Sequence, residues 1–374
     1  MMEQKTSIGK DSIRELVPIL KGFAAKHILL VRGKSSYKTC GAEEVINNVV
    51  SQVGCAVTDF FDFSENPKYE ELEIGLELLK NCGADCIIAV GGGSVMDMAK
   101  LIRFFHSYSG EVTGKYFEKQ QELLSLIVMP TTSGTGAEVT HFSVIYKDKV
   151  KYSVEHDDML SDYAIIYPPF TYNNPKYLTA CTGFDALAQA IEAYWNVNAT
   201  NKSDRYSERA ISLIWHNLFK AVNEPNYDIR DVISKGAYYA GKAIDITKTT
   251  APHAFSYAFT TYCGLPHGHA VALTFPFFVE LNMSRFNESN LQNPDCIKAY
   301  AEKMERLRNM LGLDFETVYN QVQSYLEYIG LGNILKNMTD VGKLLSMVNL
   351  QRLGNNPVKV SSVEVLSLRD LLQQ

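Results

Sequence analysis

A Rossmann-like α/β domain followed by an all-helical domain is the fold class that this chain of 374 residues predicts. Strand-length apolar runs alternate with amphipathic helices through the first half. From about residue 176 long helical segments replace them. The stretch IIYPPFTYNNPKY (165–177) stands where the pattern changes, and its Pro and Asn residues extend neither kind of element cheaply. Domains usually run to about 100–200 residues, so the chain divides into two, at 1–176 and 177–374.

HILLVRG (27–33) has the composition of a buried strand ending in a turn glycine, and AEEVINNVVSQV (42–53) after it has helical spacing. AVTDFFDF (56–63) reads as the second strand and ELEIGLELLKNCG (71–83) as the helix that follows. CIIAVGGGS (86–94) and LLSLIVMPTT (123–132) supply the third and fourth strands. Strand, helix, strand at this rhythm implies a parallel sheet with right-handed crossovers. In the second half, YLTACTGFDALAQAIEAYW (177–195) and SERAISLIWHNLFKAVNE (207–224) are the first long helices. No internal repeat or low-complexity segment interrupts the pattern.

A hydrophobic content of 46% and a charged content of 21% are those of an ordinary globular protein. The net charge of −6 argues against a nucleic-acid or membrane-surface partner, which would call for a basic face. The first twenty residues lack the apolar core and cleavage site of a signal peptide, and no run approaches the ~18 apolar residues of a membrane span. We expect a cytoplasmic protein. Seven scattered cysteines with no two CxxC pairs predict neither a disulfide framework nor structural zinc. Cys82 and Cys86 read as buried or incidental thiols.

AVGGGSVMDMAK (89–100) places three glycines and a serine between a strand and a helix. Without side chains the backbone N–H groups approach a phosphate closely, and the helix N-terminus favours its charge. The spacing is neither G-x-G-x-x-G nor a Walker A loop, so alone it reads equally well as a tight turn. MPTTSGTGAEVT (129–140) also follows a strand and is dense in small hydroxyls and glycines. Two such loops at the carboxyl ends of adjacent parallel strands form the usual nucleotide crevice of open sheets.

In TGFDALAQAIEAYW (182–195), Gln189 follows Asp185 by four residues, so on a helix the two side chains lie one above the other. APHAFSYAFTTYCGLPHGHAVALTFP (251–276) adds His253, His267 and, two further on, His269. A carboxylate with two histidines suits a divalent metal.

In these four segments, GGGSVMDMAK, PTTSGTGAEVT, TGFDALAQAIEAYW and the histidines ending in LPHGHA, the chain resembles the iron-containing, or group III, alcohol dehydrogenases. The resemblance covers nearly the whole chain, in that family's order and spacing. It implies a dehydroquinate synthase-like architecture with a dinucleotide-binding domain (1–176), a helical metal- and substrate-binding domain (177–374), and a homodimer. It further implies that Gly91, Gly92, Gly93 and Ser94 hold the pyrophosphate of NADP(H) or NAD(H), that Asp97, Thr131, Thr132 and Ser133 contact the rest, and that Lys151 also touches the cofactor. The implied ligands of a divalent metal, Fe²⁺ or Zn²⁺, are Asp185, His253 and His267, with Gln189 in the fourth position.

That family usually has histidine where this chain has Gln189. An amide oxygen is a harder, weaker ligand, so the expected effect is lower affinity, with a metal-free pocket in which Gln189 bonds substrate as the alternative. Tyr257 stands where many members place another histidine. A phenol of ordinary pKa near 10 is a poor base at neutral pH but can donate a hydrogen bond, so Tyr257 either touches substrate or packs. At the end of the first strand the family's NAD users tend to carry an aspartate, whereas Arg32 is followed here by Gly33, Lys34, Ser35 and Ser36, which leans toward NADPH.

GKAIDITKTTAPHAFSYAFT (241–260) places Lys242, Lys248, Thr249 and Thr250 ahead of His253. With KYSVEHDDMLSDYAI, DALAQAIEAYW and LPHGHAVALT it looks like the phosphonoacetaldehyde reductase branch, which makes 2-hydroxyethylphosphonate. A phosphonate dianion needs cations and hydroxyl donors, here Lys248, Lys242 and Thr249; otherwise the lysines are solvated on a helix. The reading is therefore metal-assisted reduction of a small aldehyde. The alternatives are a general short-chain alcohol dehydrogenase, a metal-free nucleotide-binding protein, and an eliminating or cyclising enzyme on the same architecture.

Overall fold

The computed structural model describes residues 4–148, 150–336, 338, 340–348 and 350–373. The chain forms two compact units, Met1–Asn174 and Pro175–Gln374.

The strands of the first unit are, in chain order, β1 (Lys5–Ile8), β2 (His27–Arg32), β3 (Ala56–Phe60), β4 (Cys86–Gly91), β5 (Tyr108–Ser109), β6 (Glu118–Lys119), β7 (Ser125–Pro130), β8 (Phe142–Lys147), β9 (Val150–Glu155) and β10 (Tyr163–Ile166). Six of them make one sheet in the order β1-β10-β7-β4-β2-β3. All its pairings are parallel. The four sequence-predicted strands are its centre and one edge. Its other edge, β1 and β10, was not foreseen: both have only four residues, and β10 runs into the Pro- and Asn-rich stretch, whose first two residues, Ile165 and Ile166, are strand. A 3₁₀ turn over Pro168–Thr171 follows. The β8–β9 hairpin, paired from Phe142 with Glu155 to Lys147 with Val150, was also missed.

Helices α1 (Leu16–Gly22), α2 (Ser36–Thr39), α3 (Ala42–Val53), α4 (Tyr69–Cys82) and α5 (Gly93–Ser107) connect these strands. Every residue of β4 is buried, as a parallel strand covered on both faces requires. On one face Ile28, Leu30, Ile88 and Ile127 pack with Leu16 and Leu20 of α1 and with Ile46 and Val49 of α3. The other face is covered by α5, which lies on β4 and β7.

The second unit is helical: α6 (Lys176–Trp195), α7 (Asn201–Asn223), α8 (Tyr227–Thr247), α9 (Ala251–Cys263), α10 (His267–Ser284), then shorter helices including Ile297–Leu311 and Val318–Tyr328. No helix of the described residues is long and apolar enough to cross a membrane. Residues 183–195 of α6 are buried without interruption, as befits a helix surrounded by α7, α8 and α10. A central helix of this kind is mostly Ala, Leu, Ile and aromatic, so its polar residues Asp185, Gln189 and Glu192 need a specific reason to be there.

Candidate functional site

Asp185, Gln189 and Glu192 stand at i, i+4 and i+7 of α6 and so share one face of the helix. His253 is the third residue of α9, whose first turn tolerates Pro252 because a proline there lacks only an N–H that would have no helical acceptor. His267 is the first residue of α10, directly after Pro266, the helix N-cap. Where α10 begins it lies very close to α6: a Cβ on Gly268 would overlap the backbone carbonyl of Cys181. Glycine permits that approach, and it brings His267 to Asp185, one turn along α6 from Cys181.

One ligand atom from each of Asp185, His253 and His267 lies within 4.8 Å of the others. Asp185 Oδ1 is 3.2 Å from His253 Nε2 and 3.9 Å from His267 Nε2. Ligand atoms each ~2.1 Å from one tetrahedral ion sit roughly 3–4 Å apart, so these groups could hold one. Gln189 Nε2 donates to Asp185 Oδ2 at 3.2 Å. Its Oε1 is buried and has no hydrogen-bond partner among the described residues. A buried, unsatisfied carbonyl oxygen is costly, and this one belongs to a side chain bonded to Asp185, one of the three residues that could hold an ion. The donor set therefore fits a metal.

Glu192 was overlooked in the sequence, although it continues the face that begins at Asp185. Fully buried, it accepts from His253 Nδ1 at 2.5 Å, from Thr250 N at 2.7 Å and from Thr250 Oγ1 at 2.8 Å. Burial opposes a charged His253 ring, yet Glu192 and Asp185 outweigh it and raise its pKa to about 10. Tyr257, half-buried, lies parallel to the His267 ring with centroids 6.2 Å apart. His269 points elsewhere: it lies 2.8 Å from Tyr177 Oη and 3.0 Å from the Gly332 carbonyl, outside the metal-ligating group.

The segment before His253 is not one continuous helix. Helix α8 ends at Thr247, and Lys248 sits in the break at φ 64° and ψ −172°, a region otherwise occupied almost only by glycine. Such a conformation costs about 1–3 kcal/mol and persists only where its surroundings dictate it. Asn196 Nδ2 donates to the Lys248 carbonyl at 3.2 Å, Asn355 Nδ2 to that of Thr249 at 2.9 Å, and Trp195 Nε1 to Thr250 Oγ1 at 3.0 Å. The Lys248 amine is shielded from solvent, not solvated on a helix face. Thr249 is buried beside it. Lys242, half-buried on α8, forms no hydrogen bond or ion pair with the metal-ligating group among the described residues.

In the first unit, Gly91 ends β4, and Gly92 is the N-cap of α5. A Cβ on Gly93 would press on the Thr135 side chain at 2.7 Å, so the two loops touch where glycine is needed. Thr131 N donates to Gly91 O at 2.9 Å, and Thr131 and Ser133 are buried; Thr132 lies between them. Ser94 Oγ accepts from Asn66 N at 3.0 Å, which leaves its proton to donate. Burial raises the Asp97 pKa, against the nearby charges of Lys100 and Lys151. Lys100, wholly buried, donates to the carbonyls of Ala137, Thr140 and Phe142 at 2.9, 3.0 and 2.6 Å, and so ties the second loop to α5.

At the end of β2, Arg32 Nε donates to Asp59 Oδ1 at 2.7 Å and its guanidinium lies 3.9 Å from the Phe61 ring centroid. Lys34 Nζ is 3.0 Å from Asp62 Oδ1, both exposed. Ser35 is the N-cap of α2, and Gly33 N donates to Val90 O at 3.1 Å. Arg32 and Lys34 are the two cations on which the expected NADPH preference leaned. Folding supplies each with a carboxylate from the neighbouring segment.

The chain matches the model of the iron-containing alcohol dehydrogenases over residues 3–168, and that of the Fe-containing alcohol dehydrogenase family C-terminal region over residues 179–344. It is 36% identical over 278 residues to long-chain-alcohol dehydrogenase 1 of Geobacillus thermodenitrificans (strain NG80-2), across 72% of this chain and 70% of that one. It is 30% identical over 281 residues to the NADPH-dependent butanol dehydrogenase of Clostridium saccharobutylicum, across 73% of this chain and 71% of that one. The crystal structure of sulfoacetaldehyde reductase from Bifidobacterium kashiwanohense in complex with NAD+ superimposes with a TM-score of 0.85 at 27% identity, covering 100% of this chain and 98% of that chain.

The chain belongs to the iron-containing alcohol dehydrogenase family. It is an alcohol dehydrogenase or aldehyde reductase, an NAD(P)-linked oxidoreductase acting on CH–OH with the divalent-metal site typical of that family.

Proposed function

We propose that the protein reduces a small anionic aldehyde, phosphonoacetaldehyde, to its alcohol, 2-hydroxyethylphosphonate, with NAD(P)H and a proton as co-substrates. In this reading Asp185, His253, His267 and the amide oxygen of Gln189 hold the divalent metal. Gly91, Gly92, Gly93, Ser94, Asp97, Thr131, Thr132, Ser133 and Lys151 hold the cofactor, with Gly33, Lys34 and Ser35 near its adenosine end. Bound there, the ion supplies Lewis acidity toward the carbonyl oxygen, and the nicotinamide supplies the hydride. Tyr257, beside His267, donates a hydrogen bond to the substrate oxygen and passes it a proton from water. Lys248 and Thr249 hold the anionic end, so that binding energy remote from the carbonyl orients it; Lys242 has the weaker case, since nothing ties it to the group.

The observation that carries the anionic substrate is Lys248. A lysine stands where glycine would relieve the backbone, its amine is withdrawn from solvent, and two residues later Thr250 is bonded to the carboxylate that grips His253. The sulfoacetaldehyde reductase cited above is named for an anionic two-carbon aldehyde, which favours the same reading.

Lys248→Ala tests it, because alanine keeps the backbone conformation equally strained and removes the amine together with its methylene stem. A charge-assisted hydrogen bond contributes about 1.5–3 kcal/mol, so kcat/KM for phosphonoacetaldehyde falls about 10–100-fold while that for acetaldehyde stays within about threefold. Equal losses on both aldehydes would leave a general short-chain alcohol dehydrogenase.

With Arg32 engaged by Asp59, the preference for NADPH rests on Lys34, whose exposed partner competes weakly in water. The expected result is a higher kcat/KM with NADPH than with NADH on the same aldehyde. The reverse ratio would remove Lys34 from the cofactor site.

A further inference from the structure

We propose that Glu192 is a positioning residue for the metal: it holds the His253 ring so that Nδ1 donates to its carboxylate and Nε2 faces the metal-ligating group. The inference rests on the ligand set proposed above and concerns a residue outside it.

Glu192 is fully buried in the middle of α6 and accepts three hydrogen bonds. An ionised carboxylate only accepts, so the His253 nitrogen facing it, Nδ1, must carry a proton. In the neutral ring the lone pair then belongs to Nε2, the nitrogen that lies 3.2 Å from Asp185 Oδ1 at the metal-ligating group. A carboxylate behind a ligating histidine holds the ring's orientation and raises its basicity. That support has added value in a centre whose fourth donor is the neutral amide of Gln189. Two more bonds, from the N–H and hydroxyl of Thr250, hold Glu192 itself, so its direction is not left to rotamer freedom.

Glu192→Gln inverts this arrangement at nearly constant volume. A glutamine carbonyl accepts from Thr250, and its NH₂ group then faces His253, which answers by accepting at Nδ1 and carrying its proton on Nε2. The metal-facing lone pair is lost. A purely structural Glu192 would instead matter through Thr250 and the start of α9, and Thr250→Val separates the two roles: it removes the hydroxyl's bonds to Glu192 and from Trp195, while the Thr250 N–H still holds Glu192 and the contact between Glu192 and His253 stays intact.

The experiment measures Zn²⁺ dissociation constants of the full-length protein by competition with a chromophoric chelator, alongside the melting temperature of each metal-free variant. Glu192→Gln is expected to bind Zn²⁺ about 10–100-fold more weakly than the wild type. Glu192→Asp, which keeps the charge but shortens the reach, falls between them, and Thr250→Val loses melting temperature while keeping the wild-type constant. Wild-type affinity in Glu192→Gln, or an equal loss in Thr250→Val, overturns the inference and leaves the proposed ligand set standing. Should Glu192→Gln fail to fold, Glu192→Asp decides, since wild-type affinity there overturns the inference as well. A wild-type chain that binds no Zn²⁺ would overturn the ligand set and this inference together.

Discussion

Asp185→Ala lowers kcat/KM for aldehyde reduction by about 10³-fold or more and leaves the purified protein with less than about a tenth of an equivalent of divalent metal. Asp185 is the group on which the others converge: His253 Nε2 lies 3.2 Å and His267 Nε2 3.9 Å from its Oδ1, and Gln189 donates to its Oδ2. Without it two imidazoles and a neutral amide remain, with no anion among them to offset the ion's charge. Lewis acidity at a carbonyl is worth several kcal/mol of transition-state stabilisation, and each ~1.4 kcal/mol is a factor of ten in rate. Asp185→Asn, which keeps the shape and discards the charge, falls nearly as far. Steady-state kinetics with elemental analysis on the same samples check this, and retention of activity within tenfold would remove Asp185 from the centre.

Gly268→Ala is the second large effect, and it acts through backbone geometry. The added Cβ would lie inside the Cys181 carbonyl, and a backbone atom cannot rotate away as a side-chain tip can. Helix α10 must therefore back away from α6, and His267, the neighbouring residue, moves with it. Overpacking of this kind costs about 1–3 kcal/mol or more, which in a unit of this size lowers the melting temperature by roughly 2–12 °C. Metal affinity falls as well, because the separation between His267 and Asp185 is what the close approach sets. Calorimetry and metal titration on Gly268→Ala check both effects; a variant with wild-type melting temperature and affinity would show that the helices can separate without disturbing the centre.

The central strands and the long helices were legible because they are long and apolar with clear period. β2, β4 and β7 are apolar runs bounded by turn residues, and α6 is apolar on nearly every face. β1 and β10 were not, since four residues such as KTSI carry no period and gain their strand character from the sheet they join. In the site, Asp185 and Gln189 could be read together because their spacing is helical, and the histidines because of their type. Glu192 was passed over although it obeys the same spacing, as a single buried carboxylate has no signature until its donors, Thr250 and His253, arrive from a distant helix. The break at Lys248 was not legible, because nothing in KTTAP announces a positive φ at a lysine. Asp59 and Asp62 reach Arg32 and Lys34 across neighbouring segments, so the charge of that loop could not be summed along the chain.

The measurement that bears most directly on the centre is a metal titration of the apoprotein, prepared with a chelator and assayed for reduction of phosphonoacetaldehyde while Fe²⁺ or Zn²⁺ is added back under anaerobic conditions. Activity rising from near zero and levelling at one ion per chain, with Gln189→His saturating at lower metal concentration, is the expected result. Full activity in the chelated protein, unchanged by either ion, would contradict a metal centre at Asp185, Gln189, His253 and His267.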